Sequence, residues 1–97
     1  MVGLIEYYSE VYGVDAELTK RIVKCESGFV LEAKNPNSSA EGYFQFINST
    51  WIHTMELMNY PTTTSKFDPE ISVEAGVFLL AKEGVGHWSE SRWCWDK

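Results

Sequence analysis

Glu26 is the residue whose type and position best suit proton-transfer chemistry. Leu18 and Ile22 fall eight and four positions before it, so on a helix its carboxylate continues an apolar stripe. Carboxylates seldom occupy such a face unless they are paired or functional. Burial and the negative end of the helix dipole both disfavour the anion, and aromatic neighbours around a groove would add desolvation. A carboxylic acid that keeps its proton near neutral pH is what general acid catalysis requires. Spacing alone leaves a second reading open, a helix-end glutamate that reaches into water. Glu32, Glu41 and Asp68 could each supply a partner carboxylate, but nothing in their spacing singles one out.

Other chemistry is weakly encoded. Asn35, Asn37, Ser39 and Glu41 alternate before Gly42, but the twelfth position of a calcium loop would be Phe46 where a bidentate Glu is needed. His53 and His87 lack ligand spacing, so no metal or other cofactor is expected. Cys25 and Cys94 lie too far apart for a CxxC motif. Two buried thiols, a Cys25–histidine nucleophilic pair and a Cys25–Cys94 bridge are the available readings, and the bridge is favoured. Closing so long a loop would contribute roughly 4 kcal/mol and implies an oxidising, extracytoplasmic compartment. The opening Met1-Val2-Gly3-Leu4-Ile5-Glu6 has neither the basic nor the apolar region of a signal peptide, so no export leader is expected within this sequence.

Helices are needed to position Glu26. Leu4, Ile5, Tyr8, Val11 and Tyr12 recur at helical spacing before Gly13. Asp15 is a suitable N-cap for a second helix carrying Leu18, Ile22 and Val23, with Gly28 as its stop. The polar stretch from Phe29 to Gly42 reads as a loop, and Tyr43 to Ile47 as a short strand or extended edge. Asn48 or Ser49 is expected to cap a third helix with Trp51, Ile52, Met55 and Met58, ended by Pro61. Asp68-Pro69 starts a fourth, which buries Ile71, Ala75, Phe78 and Leu79 and stops at Gly84. The tryptophan-rich tail from Gly86 to Trp95 reads as short helical or irregular structure. The expectation is one mainly α domain over residues 1–97, with about five helices and at most a small β-hairpin.

Composition narrows the partners. The 97 residues are 44% apolar and 23% charged, the balance of a folded chain, and the net charge is −6. So acidic a chain is a poor ligand for nucleic acid phosphates or anionic lipid, because both affinities come from Lys and Arg. No run approaches the roughly 18 apolar residues of a membrane span.

Tyr12-Gly13-Val14-Asp15, Glu26-Ser27-Gly28-Phe29, Gly42-Tyr43-Phe44-Gln45-Phe46-Ile47 and Ser49-Thr50-Trp51 together resemble the soluble lytic transglycosylase domain. They also resemble its small relatives of the resuscitation-promoting-factor type within the lysozyme-like superfamily. Asp68-Pro69-Glu70-Ile71 and Glu74-Ala75-Gly76 with Leu79-Leu80-Ala81 resemble the helix that family places after its groove. The resemblance implies a compact lysozyme-like domain that cuts the β-1,4 bond between N-acetylmuramic acid and N-acetylglucosamine in peptidoglycan. It implies Glu26 as the single catalytic acid and base, with a 1,6-anhydro product. It places Gln45 in the groove against an acetamido sugar. Ser27 follows the acid and could hold it by a hydrogen bond or be a simple helix-end serine, and Tyr43, Phe46 and Trp51 could stack on sugar faces or pack in the core, the core being favoured for Trp51. The family's late tyrosine, which orients the acid, has no counterpart in Lys82-Glu83-Gly84-Val85-Gly86-His87-Trp88, and Ser72 replaces a frequent asparagine. The orienting partner of Glu26 is therefore open. Lysozyme-type hydrolysis and a non-catalytic glycan-binding module remain as alternatives, and the expected partner is the glycan strand, met by a monomer.

Overall fold

In the computed structural model, which describes residues 2–96, the alternation of capping residues and apolar stripes produces five α-helices in series. They are α1 (Val2–Tyr12), α2 (Ala16–Ser27), α3 (Asn48–Leu57), α4 (Pro69–Glu83) and the single turn α5 (Arg92–Trp95), with a 3₁₀ segment, Gly84–Ser91, before the last. The starts of α2 and α4 follow from their caps. The Asp15 carboxylate accepts from the Glu17 N–H at 2.9 Å, and the Asp68 carboxylate from the Ile71 N–H at 2.9 Å. Gly28, at φ 61°, closes α2 in the left-handed conformation.

Helix α4 is the axis of the molecule. Val73, Ala75, Gly76, Val77 and Leu79 leave it almost no polar face, as befits a helix surrounded by its neighbours. It packs along α1 and touches α3 and the 3₁₀ segment. Gly76 is required there: a Cβ would lie 2.3 Å from the ring of the buried Phe44. Tyr12 and Tyr60 both donate to the Glu74 carboxylate, at 2.7 and 2.6 Å, tying α1 and the segment after α3 to the axis.

Three local expectations are corrected. Tyr43 to Ile47 is no strand: among the described residues only the isolated bridges Lys34–Glu41 and Glu41–Phe46 form, because Gln45 takes a left-handed conformation at φ 55° and turns the chain. Helix α3 has no side-chain cap from Asn48 or Ser49. The Asn48 Oδ1 instead accepts from Lys66 Nζ at 2.6 Å. The helix also stops at Leu57, before Pro61, because Asn59 turns left-handed at φ 60° and the Tyr60 N–H returns to the Met55 carbonyl at 2.9 Å.

Cys25 and Cys94 are joined in a disulfide. It fastens the last turn of α2 to α5, folding the tail back across the molecule so that Trp88 and Trp95 complete the core.

Candidate active site

The end of α2 opens into a cleft of about 640 Å³. One wall is the loop before α3 and the first turn of that helix, from Asn35 to Thr50, and the other is the tail from His87 to Trp93, with Phe44 and Trp88 where the two meet. Glu26 lies half-buried on this lining, at the position its helical stripe predicts. Its carboxyl is held above the ordinary glutamate range. Burial is the main cause, the negative charge of Glu90 adds to it, and a hydrogen bond from Ser91 opposes both.

Ser91 is the direct partner of the acid. Its hydroxyl donates to Glu26 Oε2 and lies 3.1 Å from the Trp88 carbonyl oxygen. The Trp95 indole N–H points at that same carbonyl, at 3.0 Å, and at the Ser91 oxygen, at 3.1 Å. Three tail residues thus fix one hydroxyl against one carboxylate oxygen. Among the described residues no hydrogen bond reaches the other oxygen, Oε1.

The facing loop is built around Lys66. Its buried ammonium donates to the carbonyls of Ser39 (2.8 Å) and Phe46 (3.3 Å), and it pairs with the Glu41 carboxylate at 3.2 Å. Gly42, at φ 84°, passes so close that a Cβ would lie 2.7 Å from the Lys66 carbonyl oxygen. Gln45 spends both amide hydrogens on the loop, donating to the carbonyls of Ala33 (3.1 Å) and Gly42 (2.9 Å). What it offers the cleft is its carbonyl oxygen.

Of the residues expected at the site, Glu26, Gln45 and Phe46 line the cleft, while Ser27, Tyr43 and Trp51 do not. The Ser27 hydroxyl turns back to the Val23 carbonyl at 3.1 Å, the usual satisfaction of a serine within a helix. Tyr43 and Trp51 belong to the core. The Trp51 indole donates to the Thr64 carbonyl at 2.8 Å, and its ring meets Phe46 edge-on at 5.0 Å, so it supports a cleft residue from behind. None of the three candidate partner carboxylates lines the cleft. Glu41 is paired with Lys66 and Asp68 caps α4. The second carboxylate on the lining is Glu90.

Ser91, Glu90, Trp88 and Trp93 were not nominated by the sequence. The one hint was the density of tryptophan in the tail, together with a cysteine whose partner adjoins Glu26. Among the described residues, no three His, Cys, Asp or Glu side chains are grouped to hold a metal ion.

This arrangement has relatives. The model of the transglycosylase SLT domain matches residues 3–94. The chain is also similar to proteins named probable transglycosylase SceD from Staphylococcus aureus, strains Newman and USA300. Identity is 35% over 75 residues, covering 77% of this chain and 32% of each relative, so the match spans about a third of their length.

Proposed function

This chain belongs to the transglycosylase SLT domain family, and from that premise we propose that it is a peptidoglycan lytic transglycosylase with Glu26 as its only catalytic acid and base. The observation that carries the reading is the half-buried Glu26 carboxyl, held above its ordinary range on the wall of the cleft. As the acid, Glu26 protonates the oxygen bridging N-acetylmuramic acid C1 to N-acetylglucosamine O4. The C1–O4 bond breaks, the N-acetylglucosamine side leaves as an alcohol, and positive charge spreads over C1 and the ring oxygen. The Glu26 carboxylate then takes the proton of the C6 hydroxyl while O6 bonds to C1, which closes the 1,6-anhydro ring and restores the acid. A nucleophile already attached to the reacting sugar makes a second carboxylate unnecessary. The Gln45 carbonyl oxygen, held outward by its two backbone hydrogen bonds, suits an acetamido N–H. The substrate is extracytoplasmic, a setting that the disulfide suits.

Glu90 on the same lining favours one competing outcome, hydrolysis, in which a second carboxylate activates water or attacks the sugar. Mass spectrometry of the muropeptides released from purified peptidoglycan separates the two. Anhydro ends that vanish in Glu26→Gln and persist in Glu90→Gln are the expected result. Reducing N-acetylmuramic acid ends would assign hydrolysis, and no release of fragments would remove the catalytic reading.

A further inference from the structure

Trp93 is 75% exposed, the most open large apolar side chain among the described residues. It lines the Glu26 cleft on one side and a second hollow, of about 530 Å³, on the other. Arg21, Lys24 and the Cys25–Cys94 disulfide form the rest of that second hollow. The two openings differ in charge: the negative Glu90 borders the first beside the Glu26 carboxyl, while the ionisable side chains of the second are both cationic.

These cations stand out in a chain of net charge −6. Lys20, Lys66 and Arg92 each have a carboxylate within ion-pair distance; Arg21 and Lys24, like Lys34 and Lys82, have none among the described residues, and of these four only Arg21 and Lys24 share a hollow. They are three positions apart on α2, so two like charges share one helix face without an anion between them. Arg21 is also held still. Its Nε–H donates to the Trp95 carbonyl at 2.9 Å, which fixes the guanidinium plane and leaves its terminal nitrogens free. A fixed guanidinium, a nearby ammonium and an open indole face above a disulfide make a receptor for a carboxylate on a partly apolar chain.

We infer that this hollow binds the carboxylate-bearing peptide carried by the glycan strand while the sugars occupy the Glu26 cleft. Because Trp93 belongs to both openings, a ligand that fills both must join sugar and anion covalently, and a peptide-substituted N-acetylmuramic acid does so. The inference deepens the proposed function and rests on it for the identity of the glycan.

The test is an NMR titration of the intact, oxidised Glu26→Gln protein, which holds substrate without turnover. The probes are the peptide-bearing N-acetylglucosaminyl-N-acetylmuramic acid, the N-acetylglucosamine dimer as a bare disaccharide without any carboxylate, and free glycerol phosphate as a non-peptide anion. The peptide-bearing sugar should bind about tenfold tighter and move the Trp93 indole resonance. A second substitution, Lys24→Gln or Arg21→Gln, should remove that preference without changing affinity for the bare disaccharide. Lys24→Gln guards against misfolding, since Lys24 makes no contact with the tail comparable to that of Arg21. Equal affinities for the two sugars, a preference that survives both substitutions, or glycerol phosphate binding as tightly as the peptide form would each overturn the inference. Equal affinities with cleavage intact in the wild type would sink the inference alone. A retained preference without any cleavage would instead sink the catalytic reading.

Discussion

Ser91 and Glu26, 65 positions apart, share one hydrogen bond in which the serine hydroxyl donates to Oε2 of the acid. The bond favours the carboxylate, whereas burial and Glu90 favour the protonated acid, and the second pair prevails. The mechanism proposed for Glu26 uses both influences, one to hold the proton until substrate arrives and one to let it go.

Removing the donor should therefore raise the Glu26 carboxyl further. In Ser91→Ala the alkaline limb of the pH–activity profile, where the acid loses its proton, should move to higher pH. The maximal rate should fall roughly 10- to 100-fold, as expected for losing a hydrogen bond to a charged group. Glu90→Gln should move the same limb to lower pH. Release of soluble fragments measured across pH checks both, and an unmoved limb in either variant contradicts the assignment.

Stability should follow the same sign. A carboxyl raised on folding means that the native state holds its proton more tightly than the unfolded chain, so its contribution is full at acid pH. That contribution is lost as pH rises from the ordinary glutamate value through the raised one. Glu26→Gln should thus be progressively more stable than the wild type as pH increases across this window. Paired urea titrations at several pH values measure it, and a difference that shrinks with rising pH would contradict it.

Reducing the Cys25–Cys94 bridge removes a constraint spanning 69 positions, worth roughly 4 kcal/mol by loop closure. The melting temperature should fall sharply in reductant. Cleavage should also fall at temperatures where the reduced chain is still folded, because Ser91 is then held to the Glu26 helix by non-covalent contacts alone. Thermal melts and activity assays with and without reductant test this.

Gly76→Ala should be severely destabilising, by about 1–3 kcal/mol or more, because the added carbon would lie 2.3 Å from a buried ring. Lys66→Met should cost about 3 kcal/mol by leaving Glu41 and two carbonyls without their cation. The two variants differ in their effects: the first loosens the whole core, while the second should selectively release the loop facing Glu26. Amide hydrogen exchange distinguishes global from local opening.

What could be read from the sequence was what depends on near neighbours. Asp15, Gly28 and Asp68-Pro69 act within a turn of themselves, so three helix boundaries were legible, and Glu26 was nominated by its spacing from Ile22 and Leu18. Asn48 was misjudged because Lys66, 18 positions away, recruits the side chain that would have capped α3. Trp51 lies in the core, the reading favoured for it over stacking, although spacing does not tell which face of a helix meets substrate and which meets the core. Ser91, Glu90 and Trp93 reach the cleft only when the tail folds back under the disulfide; the favoured Cys25–Cys94 bridge implied that return, but no local pattern tells which tail residues it brings to Glu26.

The same folding back gives the molecule an unequal set of chromophores. Trp51, Trp88 and Trp95 each direct the indole N–H to a backbone carbonyl and are 2–5% exposed. Trp93 is left as the one in open water. Its emission should dominate the red edge of the spectrum, so iodide quenching of intact protein reports on a single known position, and any occupant resting on that ring should shield it without a label.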